Sequence, residues 1–202
     1  MDVRRALITA AIKVFAEVGT RGATTRRIAR EAGVNEVTLF RHFQHKDELM
    51  RAALQDFAQR AAHTPLPDEP HDPEAELIAW CRDHHRRIYR VRALIRRTMG
   101  EYEEKPEHCA AGMQASVRVA AELTRYLRHL KARGLASGDW NEPAAAAMLM
   151  GAVFTDALGR DTMPARYPYP MREAIAQYVR LFLNAIGAAP ARASGPAGRS
   201  SA

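Results

Sequence analysis

The stretch TTRRIAREAGVNEVTLFRHFQHK, residues 24–46, constrains the fold more than any other part of the chain. It reads as two short helices joined by a tight turn. The first helix is predicted to begin at Thr24 or Thr25, because a hydroxyl there can accept hydrogen bonds from the free N–H groups of a helix start. Gly33 follows where a helix end favours a positive φ. Asn35 can then cap the second helix.

A helix, a glycine-containing turn and a second helix form a helix-turn-helix, the unit that places its second helix in the major groove of DNA. The second helix is predicted over residues 35–43, with Leu39, Phe40 and Phe43 facing back toward the first helix. Similar corners occur in helical proteins that bind no nucleic acid. The pattern alone therefore leaves two classes open: a DNA-binding protein, and a helical small-molecule-binding or catalytic protein in which the unit is only a corner.

The pattern extends beyond the turn, from Ala6 to Leu49. An amphipathic helix that ends in a glycine is followed by T-T-x-x-I-A-x-x-A-G-V over residues 24–34 and T-L-F-x-x-F-x-x-K-x-x-L over residues 38–49. Together these features resemble the N-terminal domain of the tetracycline-repressor (TetR) family of transcriptional regulators. The resemblance is detailed over the first quarter of the chain, and the remainder matches in length and helical character.

The resemblance implies an all-α, two-domain homodimer of about nine helices, consistent with helical periodicity along the chain. It implies a double-stranded, palindromic DNA operator, from which the protein is released by a small-molecule ligand. A repressor is the first expectation, and an activator of the same family is the alternative. The candidate DNA-binding residues are Thr25, Arg26, Asn35, Glu36, Thr38, Leu39, Arg41, His42 and Lys46.

Several of these side chains carry groups that can read or position DNA. Glu36 can accept a hydrogen bond from cytosine N4, and Arg41 can donate to guanine O6 and N7. Thr38 can reach a phosphate or a thymine methyl group. Two residues depart from the family pattern. Phe40 replaces the usual Tyr, so a hydroxyl that could bond a phosphate is missing, and His45 is a weaker helix cap than the usual Ser.

Charge is unevenly distributed along the chain, whose net charge is +7. Residues 1–60 hold eleven basic and seven acidic residues, whereas the remainder holds nineteen and sixteen. The basic excess per residue is therefore greater in the N-terminal part, as neutralisation of DNA phosphates requires. No apolar run approaches the ~20 residues of a membrane span. Two cysteines are too few for a disulfide framework, so a cytoplasmic protein without a membrane partner is expected.

Helical periodicity predicts the other elements, and no stretch shows the alternation of a strand. Helices are predicted over residues 3–18, 46–63, 73–89, 92–101, 106–133, 143–159 and 171–186. Four prolines in residues 64–73 indicate a linker, and residues 188–202 have the composition of disorder. We therefore expect a DNA-binding domain over residues 1–63 and a ligand-binding and dimerisation domain over residues 64–187.

The resemblance also implies two sites in the second domain. One is a hydrophobic inducer pocket, for which flexible Met and aromatic side chains are suitable, although they suit an ordinary core equally well. The pocket candidates are Trp80, His84, Met99, Tyr102, Met113, Met148 and Phe154. The other is a dimer interface formed by the last two helices. Its candidates, from the apolar stripe of the last helix, are Ile175, Tyr178, Val179, Phe182, Leu183 and Ile186.

Two further clusters allow alternative interpretations. Cys81 and His85 are four residues apart, a spacing that metal ligands use. No second pair completes a ligand set, so burial is favoured and neither a metal nor a cofactor is expected. Seven arginines between residues 82 and 97 could bind an acidic ligand or form a solvated basic face, and the second interpretation is favoured. The chain contains no recognised nucleophile or phosphate-loop motif, so no enzymatic activity is expected.

Overall fold

The computed structural model describes residues 2–60, 64–104 and 106–188. These residues form eight α-helices and one short 3-10 helix, and no strand occurs among them, which confirms the predicted all-α class. The α-helices are α1 (Val3–Gly22), α2 (Thr25–Glu31), α3 (Glu36–His42), α4 (Lys46–Arg60), α5 (Pro73–Gly100), α6 (Glu107–Ala132), α7 (Glu142–Gly159) and α8 (Met171–Ala185). Within this described part of the chain, none of the helices combines the length and apolarity that a membrane crossing requires.

One predicted helix boundary is wrong. The helices expected over residues 73–89 and 92–101 form a single helix, α5, which bends at Val91 (φ −117°, ψ 15°). No glycine or proline lies inside α5 between its two ends, so nothing in the local sequence stops the helix. The described residues therefore contain eight α-helices where about nine were expected from periodicity. The bend divides α5 into two halves that pack in different places.

The N-terminal core is the apolar cluster formed by α1 to α4 and the second half of α5. The apolar stripe predicted for the first helix is buried here, and Leu39 and Phe43 close the core from the α3 side. The side chain of Phe40 is not buried. It is 48% exposed, so its predicted orientation back toward α2 is wrong. The principal members are Leu7, Ala11, Val14, Phe15, Ile28, Leu39, Phe43, Leu49, Met50, Val91 and Leu94.

The body core is the second apolar cluster, formed by the first half of α5 with α6, α7 and α8. The apolar residues that recur at helical spacing along α6 are buried only in its second half. Met113 is exposed and Val117 is 69% exposed, whereas Leu123, Leu127 and Leu130 are fully buried. The first half of α6 therefore extends beyond the body core, which the apolar period alone could not indicate.

The predicted linker, residues 64–73, is non-helical up to the start of α5 and lies against the body. Leu66 is buried, and its N–H donates to Glu122 at 2.8 Å, while the indole N–H of Trp80 donates to the same carboxylate oxygen at 3.2 Å. Glu122 thus connects the linker with α5 and α6. The predicted end of the fourth helix at His63 lies outside the described residues, as do residues 189–202 of the predicted tail. Ala188, the first residue of that predicted tail, is buried in the body core, so the tail begins later than predicted.

The division of the chain at residue 63 stays a prediction, and the two cores do not follow it in space. Val91 and Leu94, well beyond that boundary, belong to the N-terminal core. The guanidinium of Arg97 also donates to the backbone carbonyl of Glu17 at 3.1 Å, at the end of α1. The second half of α5 is therefore attached to the helix-turn-helix unit, and the first half to the body.

Candidate nucleic-acid interface

The two helices of the turn begin with side-chain caps. Thr24 accepts from the N–H of Arg27 at 3.2 Å at the start of α2. Asn35 accepts at the start of α3 from the N–H of Thr38 at 2.8 Å and from its hydroxyl at 2.7 Å. Asn35 and Thr38 are therefore engaged with each other, and in this arrangement their polar groups hold the first turn of α3. Between the helices, Gly33 has φ +71°, as the turn requires.

A direct side-chain contact joins the two helices. The hydroxyl of Thr25 donates to the carboxylate of Glu36 at 2.5 Å, and both residues are half-buried. The second Glu36 oxygen is available to accept from a base amine. This contact fixes the carboxylate at the N-terminal end of α3, where the helix dipole favours negative charge.

The outward face of α3 combines apolar and basic side chains. Val37 is 70% exposed, and Phe40, Arg41 and His42 are also exposed. Leu39, by contrast, is completely buried, so its side chain supports the core rather than reaching solvent. Val37 was not among the sequence candidates. The available signal was its position outside the apolar stripe, since an apolar residue there has no core to enter.

A groove runs between α2 and the start of α3, and arginines line it. Arg26 and Arg30 are exposed, whereas Arg27 donates to the Glu17 carboxylate at 2.7 Å. Lys46 begins α4, is half-buried, and already interacts with another group of the protein. The start of α4 is also closed by Glu48, which accepts from the N–H of Gln44 at 2.8 Å. Arg26 and Arg30 are thus the exposed basic groups of the groove beside the start of α3.

The dimer candidates lie in the monomer's own body core. Ile175, Val179 and Phe182 are buried, as are Leu183 and Ile186. These five side chains therefore offer almost no surface to a second subunit. The opposite face of α8 is exposed and carries Leu181, which is 66% exposed. Periodicity identified the buried face of this helix, but it could not say that the helix buries that face against its own chain.

Tyr178, the sixth dimer candidate, takes part in a buried polar network. Its hydroxyl donates to the carboxylate of Asp156 at 2.7 Å, and that carboxylate also accepts from His85 Nε2 at 2.8 Å and from Arg160 Nε at 3.0 Å. Asp156 is completely buried. Burial alone would raise its pKa, but the hydrogen bonds from His85, Arg160 and Tyr178 outweigh that effect and hold the pKa well below its ordinary value.

The ligand candidates fall into two groups. Trp80 is buried and stacks on His84 with ring centroids 5.5 Å apart, and Phe154 is half-buried in α7. The other four, Met99, Tyr102, Met113 and Met148, are exposed. Cys81 is buried, and burial raises the pKa of its thiol to about 12. In the described part of the chain, no group of three or more His, Cys, Asp or Glu residues is placed to hold a metal ion.

Comparison with known proteins assigns the N-terminal unit. The family described as "Bacterial regulatory proteins, tetR family" matches residues 7–53, which contain most of the N-terminal core and all of α2 and α3. Residues 7–53 of this chain therefore resemble the TetR family. Solved structures extend the TetR fold beyond the matched residues. A TetR-family transcriptional regulator from Mesorhizobium loti superposes with a TM-score of 0.77 at 21% identity, covering 92% of this chain and 96% of that one.

A second solved structure, SmeT, the repressor of the Stenotrophomonas maltophilia multidrug efflux pump SmeDEF, has a TM-score of 0.66 at 22% identity. It covers 90% of this chain and 89% of its own. At these identities the similarity shows the TetR fold alone. The resemblance stated from the sequence is therefore confirmed, including the helical second domain.

Among sequence relatives, an HTH-type transcriptional repressor of Mycobacterium tuberculosis is 33% identical over 94 residues, which are 46% of this chain and 47% of the relative. The repressor AcnR of Corynebacterium efficiens is 36% identical over 64 residues, or 32% of this chain and 34% of that one. The matches thus span about half the length of the Mycobacterium relative and about a third of the Corynebacterium relative.

Proposed function

We propose that this protein is a sequence-specific DNA-binding transcriptional regulator that represses its target genes. One observation carries the proposal: α3 exposes Val37 and Arg41 to solvent, and the carboxylate of Glu36 on the same helix is held by the hydroxyl of Thr25. An apolar group, a cation and a carboxylate are the three kinds of group that recognise a thymine methyl, a guanine edge and a cytosine amine in the major groove. Exposed arginines on α2 supply contacts to phosphate.

Repression is the mode that the relatives favour. The Mycobacterium and Corynebacterium relatives are both named repressors, as is SmeT. A repressor acts by occupying its operator, which needs only the affinity and specificity that the α3 face can provide. Release by a small molecule is the remaining part of the proposal, and the half-buried Phe154 with the stacked Trp80 and His84 are the body residues we propose to contact it.

We propose that the protein acts as a homodimer through the outer face of α7 and α8, opposite the buried stripe of α8. The outer face of α7 is smooth and largely apolar, since Ala144, Ala147, Met148 and Gly151 are all exposed on it. A side chain built on Gly151 would meet nothing within 4 Å, so another helix can approach closely there. Leu181 extends this apolar surface on α8. A two-fold dimer would present two α3 helices to a palindromic operator.

Selection from random DNA tests the function. The purified full-length protein is incubated with duplexes that contain a random region of about 30 base pairs, long enough for two half-sites in successive major grooves. After several rounds, the bound fraction is sequenced. We expect enrichment of a palindrome with half-sites one helical turn apart or a multiple of it. If the pool stays random, and binding falls with salt equally for all duplexes, the protein has only non-specific affinity and the proposal is wrong.

A further inference from the structure

The helix α7 and the turn after it contact α5 on both sides of its bend. Before the bend, the buried carboxylate of Asp156 accepts from His85 Nε2 at 2.8 Å. After the bend, Asp161 accepts from Arg92 Nε and from Arg96 Nη1, each at 2.7 Å. The segment formed by α7 and the following turn therefore contacts both halves of α5. Its two carboxylates hold the two halves of α5 at one angle.

The contact beyond the bend involves two guanidinium groups on one carboxylate. Arg96 Nη1 donates both to Asp161 and to the carbonyl of Leu158 at 2.7 Å, at the end of α7. Arg92 lies over the ring of Tyr89, 3.9 Å from its centroid, which limits the orientations it can adopt. The hydrogen bonds from Arg96 and Arg92 lower the pKa of Asp161, which stays ionised at neutral pH. Such paired guanidinium contacts fix direction as well as distance.

The half of α5 that Asp161 holds is attached to the DNA-binding unit. Val91 and Leu94 are buried in the N-terminal core, and Ile95 packs against it. Arg97 donates to the carbonyl of Glu17 at the end of α1. Any rotation at the bend therefore carries the helix-turn-helix unit with it. The other half of α5 stays with the body, whose α7 and α8 carry the proposed dimer face.

We propose that Asp161 is a positioning residue that sets the spacing between the two α3 helices of the dimer, and hence the half-site spacing that the protein accepts. This inference rests on the proposed function. The segment from the bend to the end of α5 is ten residues long, or ~15 Å at the rise of an α-helix. A rotation of ten degrees about the bend would shift its far end by ~2.6 Å over that length. Since the shifts in the two subunits add, they can displace α3 from successive major grooves.

The competing explanation is that apolar packing alone fixes the orientation. The helix α4 packs against α6, and α1 packs against α4 and α5, so other contacts also connect the unit to the body. In that case the ion pairs of Asp161, which is about one-third exposed, would contribute little, as surface ion pairs usually do. The two explanations differ in whether removal of the Asp161 charge changes the preference for spacing.

The experiment uses the full-length protein and the duplex that the wild type selects. Base pairs are inserted into or deleted from the centre of that duplex, one or two at a time. Affinities are measured for wild type, Asp161→Asn and Asp161→Glu. The matched control is Asp83→Asn, because the ion pairs of Asp83 within the described residues are with arginines of its own helix, Arg86 and Arg87, and do not cross the bend. Circular dichroism and binding to unrelated DNA check that each variant is folded.

We expect Asp161→Asn to bind the selected duplex about tenfold more weakly, within the usual range of couplings between separate sites. For each protein, the affinity for duplexes of altered spacing is divided by its affinity for the selected duplex. The fall in this ratio should be at least several-fold smaller for Asp161→Asn than for the wild type, because a less rigid bend tolerates other spacings. Asp161→Glu, which keeps the charge, should restore most of the spacing preference. Asp83→Asn should match the wild type.

An unchanged spacing preference in Asp161→Asn, whether its affinity falls or not, overturns the inference and assigns the orientation to packing. If Asp161→Asn does not fold, Arg96→Gln removes the same ion pair from α5 and is judged by the same criteria. The proposed function is tested separately by the wild type. If the wild type selects no duplex, the function fails first; if the wild type shows a sharp spacing preference that the variants share, only the role of Asp161 fails.

Discussion

The Thr25 hydroxyl donates to the Glu36 carboxylate at 2.5 Å, so the start of α2 holds the first residue of α3 in place. This contact gives Glu36 one defined orientation before DNA binds, with one oxygen occupied and one available. A preorganised acceptor can discriminate between bases, because a wrong base leaves a buried polar group without a partner.

Glu36→Gln tests that reading. The amide can still accept from Thr25, so the helices keep their contact, but it also presents two N–H donors. We expect the selected sequence to change at one position of each half-site from cytosine toward adenine, which Gln can bond at N6 and N7. Selection from the same random pool measures the change. An unchanged sequence would mean that Glu36 serves only to join the two helices.

Arg41→Ala should weaken binding to the selected duplex by about 1–3 kcal/mol if Arg41 reads guanine. Only duplexes that carry that guanine should be bound more weakly. The variant should therefore bind duplexes with any of the four bases at that position with equal affinity. Arg82→Ala is the control, since Arg82 is also an exposed arginine but lies on the first half of α5. A fall in affinity that is the same for all sequences would assign Arg41 to phosphate contact instead.

Leu181→Glu should dissociate the proposed dimer, because it places a charge in the middle of an apolar face that a second subunit would cover. We expect sedimentation velocity at micromolar concentration to show a monomer, with helical content unchanged. Val117→Glu is the matched control, since Val117 is as exposed as Leu181 but lies on α6. If Leu181→Glu sediments as a dimer just as Val117→Glu does, this face is not the interface.

Asp156→Asn should lower the free energy of unfolding by about 3–5 kcal/mol at neutral pH, as expected when one partner of a buried charged network loses its charge. The folded-state pKa of Asp156 lies below its unfolded value, so its contribution is complete above the unfolded pKa and is lost as pH falls toward the folded one.

Denaturant unfolding at several pH values measures this dependence. The gap between wild type and Asp156→Asn should be constant from neutral pH to about pH 5 and should narrow below about pH 4. The exposed loop residue Asp139 supplies the control, Asp139→Asn, which should show no gap. A gap for Asp156→Asn that stays unchanged down to pH 3 would show that packing, rather than charge, accounts for the loss.

Gly19→Ala should destabilise the protein more than Gly33→Ala does. Both glycines have positive φ, +73° and +71°, so each substitution carries a backbone cost of order 1–3 kcal/mol. A methyl group on Gly19 would also lie 2.5 Å from Arg97 Nη1, whereas one on Gly33 would meet nothing within 4 Å. Thermal unfolding compares the two variants. Equal losses would mean that Arg97 moves away freely and does not fix the end of α1.

The helix-turn-helix was predictable because its signals are local. The caps Thr24 and Asn35 and the positive-φ Gly33 act within a few residues of themselves, so spacing alone located α2 and α3. Val37 could not be identified from polar groups, because its apolar side chain can contact only a methyl group, and its 70% exposure depends on the packing of α3.

The remaining differences arise from contacts between distant elements. The stripe of α8 was correctly identified as apolar, but amphipathicity specifies only that a face is covered, not what covers it. No glycine or proline inside α5 marks the bend at Val91. The bend lies where α5 leaves the body core and enters the N-terminal core. The partners of His85 and Arg96 lie 71 and 62–65 residues further along the chain, beyond any periodicity.

Chemical footprinting of the selected duplex tests the central claim, that α3 enters the major groove, most directly. Dimethyl sulfate methylates guanine at N7, which faces the major groove, and adenine at N3, which faces the minor groove. We predict that the wild-type protein protects guanine N7 in two symmetric patches separated by one helical turn or a multiple of it, and that Arg41→Ala loses part of that protection. Protection confined to adenine N3, or absent from both atoms on a duplex that the protein binds tightly, would contradict the placement of α3.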